Sequence, residues 1–270
     1  MFPAEAQSGA RRPDDGGAVT APLHAVVTGG GSGIGLAIAR ALGEAGHPVT
    51  IMGRSADRLA SALGTIPAGD ALACDVADEA KVGQAFAEAA SRRGPIGILV
   101  NCAGIARTAP FEKTANAVWD ELWRVNVMGA VYASRAVLPG MRTLPFARIV
   151  NVASTASLKG YAYVSGYTAT KHALLGLTRA LAIELAQTAI TVNAVCPGYT
   201  DTDIIRQSVA TIVGKTGRSD ADALKTFTAT NPQGRLIVPD EVAASVMWLA
   251  SEAARSVTGQ AIVVAGGEIM

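Results

Sequence analysis

The sequence predicts a single α/β domain built on a doubly wound parallel sheet of seven strands. Three observations carry that expectation. From Leu23 onward, short β-branched runs alternate with longer alanine-rich stretches, the pattern of strands joined by crossover helices. The strand runs are apolar on both faces, as when helices cover both sides of a parallel sheet. A glycine-rich turn, Thr28-Gly29-Gly30-Gly31-Ser32-Gly33-Ile34-Gly35, lies between the first strand and the first long helix, where such folds bind phosphate. An α/β barrel of eight strands shares the alternation, but seven strands are counted here and the first turn carries a phosphate-loop signature.

In order, strands are expected at His24–Thr28, Val49–Gly53, Asp70–Cys74, Gly97–Asn101, Arg148–Ala153, Thr191–Cys196 and Ala261–Val264. Helical periodicity fills the intervals at Ile34–Ala45, Ala56–Leu63, Glu79–Arg92, Ala117–Met141, Ser165–Gln187 and Asp240–Glu252. The longest stretch without a clear strand, Thr200 to Pro239, is expected to be a helical insertion, with residues 200–235 as a lid over the sheet's carboxyl end. No internal repeat or second domain is visible. Residues 1–22 lack an apolar core and include Arg11-Arg12-Pro13-Asp14-Asp15. They read as a disordered leader or a mis-assigned start rather than a secretory signal, leaving 23–270 as the domain.

With 270 residues, half of them hydrophobic, the chain can bury a large core. A net charge of +1 without a basic block argues against a nucleic-acid partner. No run reaches the roughly 18 apolar residues of a membrane helix. Cys74, Cys102 and Cys196 are odd in number and lack metal-ligand spacing. They read as buried thiols in a reducing cytoplasm. His24, His47 and His172 have no ligand spacing either, so no metal is expected.

The glycine turn has the spacing Gly-x-x-x-Gly-x-Gly. Gly29, Ser32, Gly33, Ile34 and Gly35 are expected to cradle a dinucleotide pyrophosphate, with free N–H groups and the positive end of the helix dipole behind them. At the end of the second strand, Met52-Gly53-Arg54-Ser55 offers no carboxylate for ribose hydroxyls. Arg54 can instead pair with a 2′-phosphate, which favours NADP(H) over NAD(H); the alternative is a solvated loop arginine. Asp75 is placed to accept from an adenine amine, or is an ordinary turn acid, and Val76 would line the adenine pocket. Asn101-Cys102-Ala103-Gly104 closes the fourth strand with small residues, where backbone must pass close to a cofactor or simply turn.

Tyr167 and Lys171 stand one helical turn apart and share a face, with Ser154 upstream. A phenol ionises near about pH 10, and a neighbouring cation brings it toward acid–base work at neutrality. The bland alternatives are a surface lysine beside a tyrosine, and a strand-end serine bonding its own backbone.

Together with Asn126 and Pro197-Gly198, these segments resemble the short-chain dehydrogenase/reductase family over about Leu23 to Gly267. The resemblance implies a Rossmann-type domain and NAD(P)-dependent interconversion of a carbonyl and a secondary alcohol. By it, Tyr167 gives the proton in reduction and takes it in oxidation, and Ser154 hydrogen-bonds the substrate oxygen. Lys171 assists Tyr167 and holds the nicotinamide ribose. Asn126, within Trp123-Arg124-Val125-Asn126-Val127, uses its backbone carbonyl to hold a water joining Lys171 to solvent. Thr200 and Thr202, following Pro197 and Gly198, meet the carboxamide, and Ala103 and Gly104 lie beside the cofactor. One departure is Ala265, where many members carry Asp.

Substrate choice is expected from Ala106–Glu112, Thr155–Gly166 and Thr200–Arg235. The last combines Ile204, Ile205, Val209, Ile212 and Val213 with Arg206, Lys215, Arg218 and Lys225. That suits an acyl chain on CoA or acyl carrier protein, or else an amphipathic helix with a solvated face. The run from Ile190 to Gly198, and Pro232-Gln233-Gly234-Arg235, are similar to the family's 3-oxoacyl thioester reductases and aromatic-polyketide ketoreductases. A 3-oxoacyl thioester or its 3-hydroxyacyl-CoA is therefore the expected substrate. A sugar, polyol or cyclic alcohol is the alternative, and a cofactor-sensing protein without turnover the remote one. The family also implies a homotetramer, with Ala117–Met141 and Ser165–Gln187 packing between subunits and the C-terminal segment in a second interface.

Overall fold

The computed structural model describes residues 22–270; the expected leader, apart from Pro22, lies outside them. Seven strands form one parallel sheet: β1 (His24–Thr28), β2 (Val49–Gly53), β3 (Gly69–Ala73), β4 (Ile96–Asn101), β5 (Ala147–Val152), β6 (Ile190–Pro197) and β7 (Ala261–Val264). Their spatial order is β3-β2-β1-β4-β5-β6-β7. The chain thus winds outward from β1 in one direction and from β4 in the other. Between the carboxyl ends of those two strands lies the switch point where doubly wound sheets bind ligands.

The helices are α1 (Gly33–Glu44), α2 (Ala56–Leu63), α3 (Glu79–Arg93), α4 (Asn116–Trp123), α5 (Gly129–Met141), α6 (Ser165–Glu184), α7 (Asp203–Thr216), α8 (Asp220–Thr228) and α9 (Pro239–Ala250). Strand residues alternate between two cores, as a period of two demands. Ala25, Val27, Ile98 and Val100 pack with Ile38 and Leu42 of α1 and Val246 and Leu249 of α9. Val26, Leu99 and Ile149 face the other way, onto Phe86 of α3 and Val137 and Met141 of α5.

Most expected elements stand within one or two residues of their places. Two differ in substance. The helix expected to run unbroken over Ala117–Met141 is interrupted at Arg124–Met128 by a π-helical turn. Apolar spacing alone does not register one extra residue in a turn. The helix expected to end at Gln187 stops at Glu184, and its last turn closes through Leu185 N–H to the Leu181 carbonyl. The Thr200–Pro239 insertion holds two helices, α7 and α8, beyond the sheet's carboxyl edge. Ala265 is buried and disturbs neither β7 nor the Gly266–Gly267 turn, whose φ angles are +59° and +92°.

Candidate active site

The glycine turn and the Asn101–Gly104 turn are clasped together at the switch point. The hydroxyl oxygen of Thr28, the last residue of β1, accepts from the N–H groups of Cys102 (3.1 Å) and Ala103 (3.2 Å). Glycine is required here by contact. A Cβ on Gly29 (φ +70°) would sit 2.9 Å from backbone atoms of Ala103, and one on Gly35 would strike the Gly29 carbonyl. The first α-helical bond of this segment runs from Leu36 N–H to the Ser32 carbonyl. The N–H groups of Gly33, Ile34 and Gly35 precede it and have no helical partner. Closely packed glycine backbone whose first N–H groups lack helical partners at a helix N-terminus fits a pyrophosphate.

Arg54 is exposed at the end of β2, and no carboxylate pairs with it among the described residues. Arg58 of α2 also stands near the glycine turn, its Cβ 3.6 Å from where a Cβ on Gly31 would be.

Asp75 uses one carboxylate oxygen on its own turn, accepting from Ala77 N–H at 3.1 Å. Val76 is buried against Gly129, where a Cβ would meet it at 2.9 Å. The Asn101 amide turns into the sheet, donating to Asn151 (2.9 Å), which donates on to Thr178 (2.8 Å). The structure therefore gives the Asn101 side chain a strand-bracing contact. Thr28, Val76, Asn101, Ala103 and Asn126 line one small cavity of about 10 Å³.

Lys171 is 5 % exposed, and its ammonium donates to the Val152 carbonyl at 2.8 Å. It lies 5.7 Å from the centre of the Tyr167 ring. Ser154, two residues past Val152, caps a 3₁₀ turn by accepting from Ala156 N–H at 3.1 Å. That bond occupies a lone pair and leaves the hydroxyl proton free to donate. The Asn126 side chain is wholly engaged: it accepts from Ile105 N–H (2.8 Å) and donates to the Ile105 carbonyl (2.9 Å) and the Thr170 hydroxyl (3.0 Å). Thr170 in turn donates to the Tyr167 carbonyl. Asn126 thus ties the loop after β4 to α6, and Gly104 lies beside both its oxygen and the Lys171 ammonium.

Thr200 donates to the Gly198 carbonyl, and Gly198 N–H to Val264 at the end of β7. Thr202 reaches the glycine turn, its methyl 3.1 Å from where a Cβ on Gly33 would be. The cations of the insertion are paired: Arg206 with Asp201 (3.0 Å) and Lys225 with Asp222 (2.9 Å), while Arg218 donates to the Asp222 carbonyl. The side chain of Lys215 lies outside those described. Arg235 holds the Glu241 carboxyl down to about 2. Burial pushes the thiols of Cys74 and Cys196 up to about 11 and that of Cys102 up to about 12, so none is a ready nucleophile. Among the described residues no three His, Cys, Asp or Glu side chains gather as a metal site, and no helix is long and apolar enough to cross a membrane.

The family model described as "short chain dehydrogenase" matches residues 23–212. The chain belongs to that family. Among its short-chain dehydrogenase relatives, the monensin polyketide synthase putative ketoacyl reductase of Streptomyces virginiae is 41 % identical, over 90 % of this chain and 95 % of its own. The acetoacetyl-CoA reductase of Rhizobium meliloti is 37 % identical, over 90 % and 97 %. The crystal structure of a single-substitution variant of actinorhodin polyketide ketoreductase with NADPH superposes with a TM-score of 0.87 at 36 % identity, covering 92 % of this chain and 97 % of that one. The protein is an oxidoreductase of this family, which uses NAD(P).

Proposed function

We propose that the protein interconverts a 3-oxoacyl thioester and its 3-hydroxyacyl form with NADP(H), using Tyr167 as general acid and base. The observation that carries this reading is the Lys171 ammonium, held on the Val152 carbonyl two residues before Ser154 and 5.7 Å from the centre of the Tyr167 ring. Lys171 is itself buried.

A bound nicotinamide coenzyme supplies the hydride in reduction and takes it back in oxidation. The chain's own residues handle the proton and the charge. The Ser154 hydroxyl donates to the substrate carbonyl oxygen, where negative charge develops. Tyr167 passes its phenolic proton to that oxygen, and the Lys171 ammonium offsets the charge left on the phenol. In oxidation the same groups work in reverse. Lys171 also holds the nicotinamide ribose, and the Asn126 carbonyl, in its π turn, holds a water toward Lys171. The glycine turn with Ser32 and Ile34 holds the pyrophosphate, Asp75 and Val76 the adenine, and Pro197, Gly198, Thr200 and Thr202 the nicotinamide end. Ala103 and Gly104 back the cofactor. Arg54, exposed at the end of β2 with no carboxylate paired to it among the described residues, would meet a 2′-phosphate there, which supports NADP(H) over NAD(H).

The thioester reading rests on the apolar insertion and on kinship with acyl-thioester and polyketide reductases. The insertion's paired cations do not add to it. Exposed Trp123 on α4 and Ile183 on α6 support a homotetramer in which those helices meet.

The test is a spectrophotometric panel of NADPH and NADH against acetoacetyl-CoA, a cyclic ketone and a ketose, in both directions. Thioester turnover with NADPH is expected, and turnover confined to alcohols with NAD would overturn the substrate and coenzyme assignments. Tyr167→Phe should lower kcat by about 10²–10⁴-fold with NADPH binding intact. Unchanged turnover in that folded variant would remove Tyr167 from the chemistry.

A further inference from the structure

We propose that Glu268, two residues from the end of the sequence, is a positioning residue that holds the Ser154 loop and the α7–α8 insertion in register for the reaction. This rests on the assignment of Ser154 and Tyr167 above.

Glutamate carboxylates are almost never fully buried unless paired. The side chain of Glu268 is 1 % exposed. One oxygen accepts from the Tyr161 hydroxyl at 2.6 Å and from the Lys159 ammonium at 3.0 Å. The other lies against Gly198, where a Cβ would stand 3.0 Å from it. Burying a carboxylate is costly unless it is paired and hydrogen-bonded, and here both conditions are met.

The contacts run in one direction toward the reacting groups. Tyr161 has a single proton and gives it to Glu268, so the Thr155 hydroxyl, 2.6 Å away, must be the donor to the Tyr161 oxygen. Thr155 follows Ser154 directly and opens the 3₁₀ turn that Ser154 caps. Burial and the bond to Glu268 both push the Tyr161 phenol far up, so it remains a donor at any working pH. Lys159 lies over the Tyr161 ring as well, 4.9 Å from its centre. On its other side Tyr161 meets Tyr199 edge-on (6.1 Å), and Tyr199 meets Phe227 of α8 (5.2 Å).

One carboxylate therefore joins the loop after β5, the Gly198–Tyr199 turn after β6, the insertion and the C-terminal tail. The first and third are segments from which substrate choice is expected, and the second lies at the proposed nicotinamide end. None of these contacts needs Glu268 to touch a reacting atom. Its effect would come through the placement of Ser154 and of the wall formed by Tyr161, Tyr199 and Phe227.

The experiment uses the full chain with the carbonyl from the panel that turns over fastest. Glu268→Ala should lower kcat roughly tenfold and raise the ketone KM several-fold, since small displacements of a positioning group carry such factors. NADPH binding, read by fluorescence, should stay within about twofold. Tyr161→Phe cuts the link to Thr155 and removes one donor from the carboxylate while leaving its Lys159 pair, and should reproduce part of the kcat loss. The double variant Lys159→Met, Glu268→Gln replaces the ion pair by neutral groups of similar shape and keeps an acceptor for Tyr161. It should recover most of the lost kcat, a rescue that a merely destabilised fold would not give. If Glu268→Ala does not fold, Glu268→Gln and Tyr161→Phe carry the test. Should no panel substrate turn over, hydrogen exchange over residues 155–161 decides, and unchanged protection in Glu268→Ala overturns the proposal. So does kcat and KM within about twofold of wild type in the folded variant. Retained turnover in Tyr167→Phe would instead break the site assignment, whatever Glu268 does. A dead Tyr167→Phe beside an unaffected Glu268→Ala would remove the positioning role alone.

Discussion

Thr28→Val is the sharpest test of how the cofactor cleft is held open in the right shape. The substitution keeps the volume and the β-branched outline and removes only the hydroxyl. Thr28 is 1 % exposed, and its oxygen is the acceptor for the N–H groups of Cys102 and Ala103 at 3.1 and 3.2 Å. Valine leaves both donors without that partner. A buried polar group left unpaired costs about 1–3 kcal/mol. Cys102 and Ala103 are both half-buried, so each N–H regains part of its loss from solvent, and the pair together is worth about 2–4 kcal/mol. For a domain of this size each kcal/mol moves Tm by about 2–4 °C, which gives a fall of ~4–16 °C by calorimetry. The clasp also sets the distance between the glycine turn and the Asn101–Gly104 turn, so NADPH affinity should fall with it. Thr28→Ser retains the acceptor and should stay within about 1 kcal/mol of wild type. A Thr28→Val protein melting within about 2 °C of wild type, with NADPH affinity unchanged, would refute the reasoning.

Two further outcomes follow from named contacts. Burial, opposed by the Gly94 carbonyl, lowers the His24 pKa below its ordinary 6.5. Its Nδ1–H donates to Gly94 at 3.1 Å and its Nε2 accepts from the Thr50 hydroxyl at 2.9 Å, an arrangement that uses the neutral ring. The unfolded chain takes up a proton near about pH 6.5 and the folded chain resists it. The stability from this site is therefore whole above that pH, declines as pH falls below it, and is lost once pH passes the folded value. The drop in Tm on acidification through that window should shrink in His24→Gln, and an identical drop in both proteins would contradict the assignment. For the coenzyme, Arg54→Glu should cut kcat/KM with NADPH by about 10–100-fold, the worth of a charge-assisted bond, while sparing or improving NADH. NADPH kinetics within about twofold of wild type would leave Arg54 a solvated loop residue.

The strands and the glycine turn were legible because their signals are local. Five-residue apolar runs such as Val49–Gly53 keep their identity whatever packs on them. A turn where any Cβ would stand 2.9 Å from the Ala103 backbone advertises itself as glycine. The π turn at Arg124–Met128 was not legible, because inserting one residue into a helix leaves the apolar stripe nearly in phase on either side. Asn126 was singled out by the family resemblance alone, because its side-chain partners, Ile105 and Thr170, are far away in sequence. The bland reading of Ser154 also proved true in part, since it does cap its own turn, and that bond frees its proton to point elsewhere.

The residues missed altogether, Thr28 as a clasp and Glu268, share one property. Each contacts a segment distant in sequence, and each is of a type that is ordinary where it stands: a strand-end threonine and an exposed-looking acid. Burial is what separates Glu268 from an ordinary tail carboxylate. A charge at 1 % exposure must be answered by its surroundings. The answer, Lys159 and Tyr161, comes from the loop that begins at Ser154. Ordering of the tail and ordering of that loop are therefore one event. A variant that loosens either should loosen both, and that coupling is open to measurement without any substrate.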